Sequence, residues 1–355
     1  MPQDPQPPEH TARGQAPAGS APPAMPDPSL IMRLALAYRS SMVLFAAVDL
    51  EVFTAVAGGA RTAATLAAFC GAAPEPMRVL LDFCVAEGLL TCDGLTYSNT
   101  PAGDAFLVKG RPAYIAHGLK YAENLYPAWG RLADLIRTGR PAIEPESILG
   151  DDKAKTRAFV YAMHERARGM SAVLPHGADF SGRTRLLDVG GGPGTYSMAL
   201  VQQTPGLRAT VLDRPGVLEV TREIIERHGF ADRIDLLPGD YLVSPFGSGY
   251  DAALLSGMMH RETADGCRLL LGKTFDALVP GGLAVVSDVF YDDDRKNTPP
   301  FALSFAINMM LTSDHGSAHA KTEMATWMAE CGFTGIQIRD LPRPNPHTLV
   351  LGVKP

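Results

Sequence analysis

The chain is poor in cysteine and shows no order in the five it has, Cys70, Cys84, Cys92, Cys267 and Cys331. An odd number without a C-x-x-C pair argues against a disulfide framework and a cysteine zinc site, and fits a reducing compartment. Positive charge is also short: 32 Lys and Arg against 38 Asp and Glu leave a net charge of −6, so no basic field draws in nucleic acid. No apolar stretch reaches the ~18 residues of a membrane span, and Met1 to Pro28 lacks the apolar h-region of a signal peptide. The expectation is a cytoplasmic protein with neither a nucleic-acid nor a membrane partner. Large apolar residues are almost missing from residues 1–28, which are rich in Pro, Ala, Gly and Gln. Such a segment cannot bury enough surface to offset its ordering entropy, and it reads as a disordered tail. Over the whole chain of 355 residues, 46% hydrophobic and 20% charged is ordinary globular usage.

The most informative stretch is Leu186-Leu187-Asp188-Val189-Gly190-Gly191-Gly192-Pro193-Gly194. A strand buried on both faces reads as a continuous apolar run, and glycines after it let the backbone approach a ligand at a helix N-terminus. The helix that follows is predicted over Tyr196 to Gln203. The dinucleotide fingerprint is G-x-G-x-x-G, whereas Gly190, Gly192 and Gly194 give G-x-G-x-G with Thr195 in the last place, which disfavours a nicotinamide or flavin. A second strand, Ala209 to Leu212, ends in Asp213, 23 residues after Gly190. That matches the offset of roughly 20 residues at which a carboxylate meets ribose hydroxyls.

Together with Leu212-Asp213-Arg214-Pro215, Gly239-Asp240-Tyr241 and Met258-Met259-His260, this stretch resembles the S-adenosylmethionine-dependent small-molecule O-methyltransferases. That family includes the plant caffeic acid and vertebrate acetylserotonin enzymes. The resemblance runs from about Leu34 to the C-terminus. It implies an α/β protein: a class I methyltransferase, Rossmann-like doubly wound sheet preceded by a mainly helical winged-helix dimerisation domain. It also implies S-adenosylmethionine as cofactor, a homodimer, and a small hydroxylated acceptor. Gly190, Asp213, Asp240 and Tyr241 take the family's cofactor-binding positions, with Asp188, Gly192, Arg214 and Ser256 beside them.

The order of elements divides the chain into the tail (1–28), the dimerisation domain (29–110), linking helices that contribute to the substrate pocket (111–179) and the catalytic domain (180–355). In the second of these, Thr62 is a candidate N-cap for a helix ending near Gly71, and a further helix is predicted over Pro76 to Glu87. Leu89 to Cys92 and Leu95 to Tyr97 flank Asp93-Gly94, a hairpin signal. Two helices and a hairpin also describe a DNA-binding winged helix, but Pro76 to Leu90 carries only Arg78 against Asp82 and Glu87, too little charge for phosphates. One linking helix is predicted over Tyr121 to Arg137 and another over Thr156 to Ser171. On the latter, Phe159 and Met163 resemble the family's substrate-contacting segment, or form an apolar face at i and i+4 packed on the core.

Strands at Arg185–Val189, Ala209–Leu212, Ile234–Pro238, Asp251–Ser256 and Leu283–Ser287 alternate with helices, which implies a parallel sheet with helices on both faces. Ile336–Arg339 and Thr348–Val353 read as a final antiparallel hairpin, and Val279-Pro280-Gly281-Gly282 as a turn. Ligands in such sheets bind beyond the carboxyl ends of the strands. His260 and Asp288 follow the fourth and fifth strands there, so a carboxylate can fix one imidazole nitrogen and leave the other to accept a proton. The resemblance assigns the same pair as catalytic. Two features depart from the family: Arg261 and Glu262 follow His260 where Asp-Trp is common, and no carboxylate stands near Ala318 or His319, where a further glutamate is usual. A histidine that merely caps the fourth strand is the structural alternative.

Asn308 and Met309, on a helix predicted over Phe301 to Leu311, and Met259 with Met258 complete the expected acceptor contacts; methionines at such spacing also serve as core. Tyr291-Asp292-Asp293-Asp294 reads as a solvated loop, and no metal is expected. Other chemistry on the same fold and cofactor, such as hydroxylation or decarboxylation, is the alternative enzymatic reading. A winged-helix DNA-binding regulator is the non-enzymatic one.

Overall fold

A computed structural model describes residues 26–143, 152–293, 298–343 and 345–355. Residues 1–25 of the expected tail, and Asp294, lie outside them. Residues 26–41 form a unit of their own, with the helix Ser29–Leu36 and the start of the helix Tyr38–Asp49. Taken together, Ser29–Asp49 is a helical stretch of 21 residues, long and apolar enough to cross a membrane. This corrects the expectation that no apolar stretch reaches the length of a membrane span: averaged over the helix, Leu30, Ile31, Met32, Leu34 and Leu36 outweigh the polar residues among them. All five side chains are exposed.

From Met42 onward, the helices Val52–Ala57, Ala63–Cys70 and Pro74–Ala86 pack with a hairpin, β1 (Leu90–Asp93) and β2 (Thr96–Asn99). Phe53, Leu66, Met77, Leu81 and Leu90 are wholly buried between them. Thr62 caps as its residue type suggests: its hydroxyl accepts the Thr65 N–H, and Gly71 closes the helix in the left-handed region. Arg78 is committed to Glu75 and Asp82, so the second helix presents no spare cation of the kind a DNA reader needs.

The linking region departs from expectation at Gly130. The single helix predicted over Tyr121 to Arg137 is two, Ala116–Trp129 and Leu132–Thr138, with Gly130 and Arg131 between. The third linking helix, Lys153–Ser171, starts where the Asp152 carboxylate accepts the Ala154 and Lys155 N–H groups.

The strands β3 (Arg185–Val189), β4 (Arg208–Asp213), β5 (Ile234–Pro238), β6 (Tyr250–Ser256), β7 (Leu278–Asp288), β8 (Thr334–Asp340) and β9 (Thr348–Val353) form one sheet in the order β5-β4-β3-β6-β7-β9-β8. The first five in chain order are parallel, and β9 and β8 close the far edge antiparallel. Apolar runs suit this position, because successive residues enter opposite cores. Leu186, Leu254 and Val285 join one, while Leu187, Leu255 and Val286 join the other. The expected turn at Val279–Gly282 is drawn into β7: the register shifts between Tyr250 and Ala252, and Gly281 takes a φ of 77° there. Strand order reverses at β3, so the crevice for a ligand opens beyond the ends of β3, β4 and β6.

Truncating the wholly buried β6 side chain in Leu254→Ala is expected to cost about 2–5 kcal/mol. In urea unfolding the midpoint should fall while the slope stays unchanged.

Candidate functional site

β3 delivers Asp188 and then turns through the glycines into the helix Thr195–Gln203. The Gly190 N–H is held by the Leu212 carbonyl at 2.8 Å. A Cβ on Gly191 would lie 2.6 Å from Asp188 Cγ, so only glycine passes over that carboxylate. Asp188 is buried; its Oδ2 accepts the Ser197 hydroxyl at 2.6 Å, while Oδ1 has no partner among the described residues. Burial pushes its pKa up to about 7. From the end of β4, Asp213 accepts the Gly192 N–H at 2.8 Å and the Arg214 N–H at 2.7 Å, and burial raises it above the usual carboxylate range despite both.

His260 sits on a short 3-10 turn, Met259–Arg261, after β6. Its Nδ1 is 2.8 Å from Asp288 Oδ1, and its backbone N–H donates to Asp288 Oδ2 at 3.2 Å. The pairing of Ser256 with Ser287 sets these neighbouring strands in register. Asp288 is buried, which works to raise its pKa, but His260 wins and holds it below the ordinary carboxylate value. No second carboxylate meets His260 among the described residues. The vacant family position is filled differently: the Ser317 N–H donates to the His260 carbonyl at 2.9 Å, and His319 Nε2 lies against the Met259 and Glu262 carbonyls. With Nδ1 engaged, Nε2 is the nitrogen left for a ligand.

One cavity joins these groups. Asp188, Gly190, Gly192, Asp213, Tyr241 and Ser256 line it with His260, and so do Phe159, Met163, Asn308 and Met309. Asp288 stands behind His260. Three expected residues fall elsewhere. Met259 is wholly buried in the core while Met258 takes its place on the wall, because the tight turn after β6 reverses which methionine faces inward. Arg214 and Asp240 face each other at 3.7 Å, both partly exposed, and do not line the cavity. Asp240 instead shapes its loop by accepting the Leu242 N–H. The Asn308 amide oxygen is taken by the Trp129 indole N–H at 3.0 Å.

Several lining residues escaped the sequence reading. Arg166 and Met170 follow Met163 at i+3 and i+7, so the helical period alone points to them. Phe305 precedes Met309 by one turn and meets the His260 ring edge-on, 4.8 Å between centroids. His347 had no local signal; the antiparallel pairing of β9 with β7 brings it in, its Nδ1 2.9 Å from the Ser287 hydroxyl, and burial lowers its pKa to about 4. Asp292 and Asp293 are occupied by Lys321 and Thr322.

Residues 129–334 match the O-methyltransferase domain, and residues 32–109 the O-methyltransferase dimerisation domain. The chain is similar to the tetracenomycin polyketide synthesis 8-O-methyl transferase of Streptomyces glaucescens, with 31% identity over 92% of this chain and 97% of that one. It is equally similar, at 31% over 94% and 97%, to the 3-hydroxy-5-methyl-1-naphthoate 3-O-methyltransferase of Streptomyces sahachiroi. Its fold superposes on human N-acetylserotonin methyltransferase in complex with S-adenosylmethionine, with a TM-score of 0.83 and 26% identity over 94% and 99% of the two chains. The residues present fit that cofactor. A half-buried carboxylate at the end of β4 suits ribose hydroxyls, the Asp188 oxygen without a partner among the described residues suits a cation or an N–H donor, and Gly191 keeps the floor open. The chain therefore belongs to the S-adenosylmethionine-dependent O-methyltransferases of the secondary-metabolite type, with an N-terminal dimerisation domain.

Proposed function

We propose that this enzyme, acting as a cytoplasmic homodimer, methylates a hydroxyl of a small aromatic metabolite, with His260 as general base. Residues 29–110 serve dimerisation, 111–179 shape the acceptor pocket and 180–355 carry the chemistry. Bound S-adenosylmethionine supplies an electrophilic methyl group on a sulfonium; Asp188, Gly190, Gly192, Asp213, Tyr241 and Ser256 would hold it. The naphthoate in the name of the Streptomyces sahachiroi relative supports the acceptor class. So do Phe159, Met163, Met258, Phe305 and Met309 on the wall, since aromatic and thioether groups pack adaptably against a flat ring.

The observation that carries the reading is the His260 Nδ1 contact to Asp288 at 2.8 Å. A carboxylate there favours the tautomer protonated on Nδ1 and stabilises the imidazolium formed once Nε2 takes the hydroxyl proton. His260 Nε2 would take the acceptor's hydroxyl proton as that oxygen attacks the methyl group that bound S-adenosylmethionine would supply, leaving neutral S-adenosylhomocysteine. Phe305, edge-on to His260, and the lining Met309 keep bulk water from the pair. Alignment within the cavity provides most of the rate.

His260→Ala is expected to lower kcat about 10²–10⁴-fold while calorimetric affinity for S-adenosylhomocysteine stays within about twofold. Unchanged turnover would remove His260 from the mechanism.

Asp188 sets a pH dependence. Its raised pKa means that it is neutral below about 7 and anionic above, and only the anion attracts a sulfonium. Calorimetric affinity for S-adenosylmethionine should therefore rise with pH through about 7, and Asp188→Asn should flatten that rise.

The homodimer predicts a light-scattering mass of twice 37.9 kDa. The exposed apolar helix supplies the surface: Ile31→Glu with Leu34→Glu, at side chains 69% and 64% exposed, should shift the mass toward the monomer.

A further inference from the structure

Three arginines on the helix Lys153–Ser171 differ in what they meet. Arg157 is paired with Glu223 at 2.8 Å, and Arg168 donates to the Pro112 and Tyr114 carbonyls. Arg166, between them, makes no hydrogen bond or ion pair among the described residues. It is also the one of the three that lines the cavity, its guanidinium 5.6 Å over the Phe305 ring. The Phe305 ring also meets His260, so Arg166 and His260 share one neighbour on the cavity wall. Its charge reaches Tyr121, Tyr196 and His347, none of which carries a negative charge at neutral pH.

Two carboxylates nearby are engaged by other donors, and Asp188, which lines the same cavity, is held through one oxygen by the Ser197 hydroxyl. Asp288 accepts from His260 Nδ1, the His260 N–H and the Val289 N–H. Asp213 accepts two backbone N–H groups. An arginine laid against an aromatic ring in an apolar wall, with its donors unused, is built for a planar anion.

We propose that Arg166 forms a carboxylate subsite, so that the acceptor is an aromatic hydroxy acid anchored through its carboxylate while its hydroxyl faces His260. This rests on the methyl-transfer reading of the same cavity. It makes Arg166 a specificity-determining residue that acts on acceptor binding and not on the chemical step.

The test compares 3-hydroxy-1-naphthoate with 2-naphthol, which differ only in the carboxylate, by calorimetry on the S-adenosylhomocysteine-loaded full-length protein and by steady-state turnover. The wild type should bind the naphthoate about tenfold more tightly, a charge-assisted gap that narrows as salt is raised. Arg166→Gln should abolish the gap by raising KM for the naphthoate, leaving 2-naphthol and S-adenosylhomocysteine affinity unchanged, and Arg166→Lys should restore part of it. An equal preference in wild type and Arg166→Gln overturns the proposal. So does a loss of S-adenosylhomocysteine affinity in Arg166→Gln, which would assign the guanidinium to the cofactor's own carboxylate. Arg166-dependent naphthoate binding without methylation would keep the subsite and defeat the methyl-transfer reading. Methylation with an unchanged preference would do the reverse.

Discussion

A carboxylate buried at the end of a central strand is the constraint on which this site depends. Asp288 is removed from water, and an ion so placed costs several kcal/mol unless its oxygens are fully engaged. Its neighbours meet that demand with two donors from His260 and one from Val289. The arrangement works only because β6 and β7 run parallel in register, with Ser256 opposite Ser287, so that the turn after one strand covers the end of the other. Any shift of that register leaves a buried charge alone. The same bonds that make the fold tolerable therefore aim the imidazole, and stability and chemistry are not separable at this point.

The turn carrying His260 is fixed from its far side as well. Ser317 and His319 bond to the carbonyls of His260, Met259 and Glu262. They stand just before the helix Lys321–Glu330, in the region where related enzymes carry a further glutamate. Here that region holds the backbone of the turn and not the ring. Among the described residues Asp288 is the one carboxylate that holds the ring.

Much of this was readable from residue order, and for physical reasons. Strands buried on both faces announce themselves as apolar runs, so β3, β5 and β9 were bounded residue for residue, and Asp213 and His260 were found because strand ends are where such sheets expose side chains. Most of what escaped was set by packing. The bulge at Gly281 follows from the pairing of β7 with β6, while the helix break at Gly130 had a local signal in Pro127 and Gly130 that was passed over. Which of Met258 and Met259 turns inward is decided by one tight turn, and a shift of one residue there exchanges wall for core. His347 enters from the far end of the chain through strand pairing, which no local pattern reports. Arg166 was within reach of the helical period, but the sequence reading stopped at the two apolar positions above it.

The cavity's charges are sorted, and the sorting follows from which elements meet. The strand ends of β3 and β4 contribute Asp188 and Asp213, so the region beneath the glycines gathers carboxylates whose negative charge grows with pH. The helix Lys153–Ser171, which packs on the helix after the glycines through His164 and Thr195, brings Arg166. His260 lines the same cavity, and its task in the proposed mechanism is to accept one proton. A proton acceptor is weakened by a nearby cation and strengthened by a nearby anion. The arrangement places the anion, Asp288, in direct contact and interposes the Phe305 ring between the imidazole and the guanidinium. Phe305 thus serves both neighbours, presenting its face to Arg166 and its ring to the edge-on contact with His260. One aromatic side chain thus fixes the positions of two polar groups on the cavity wall.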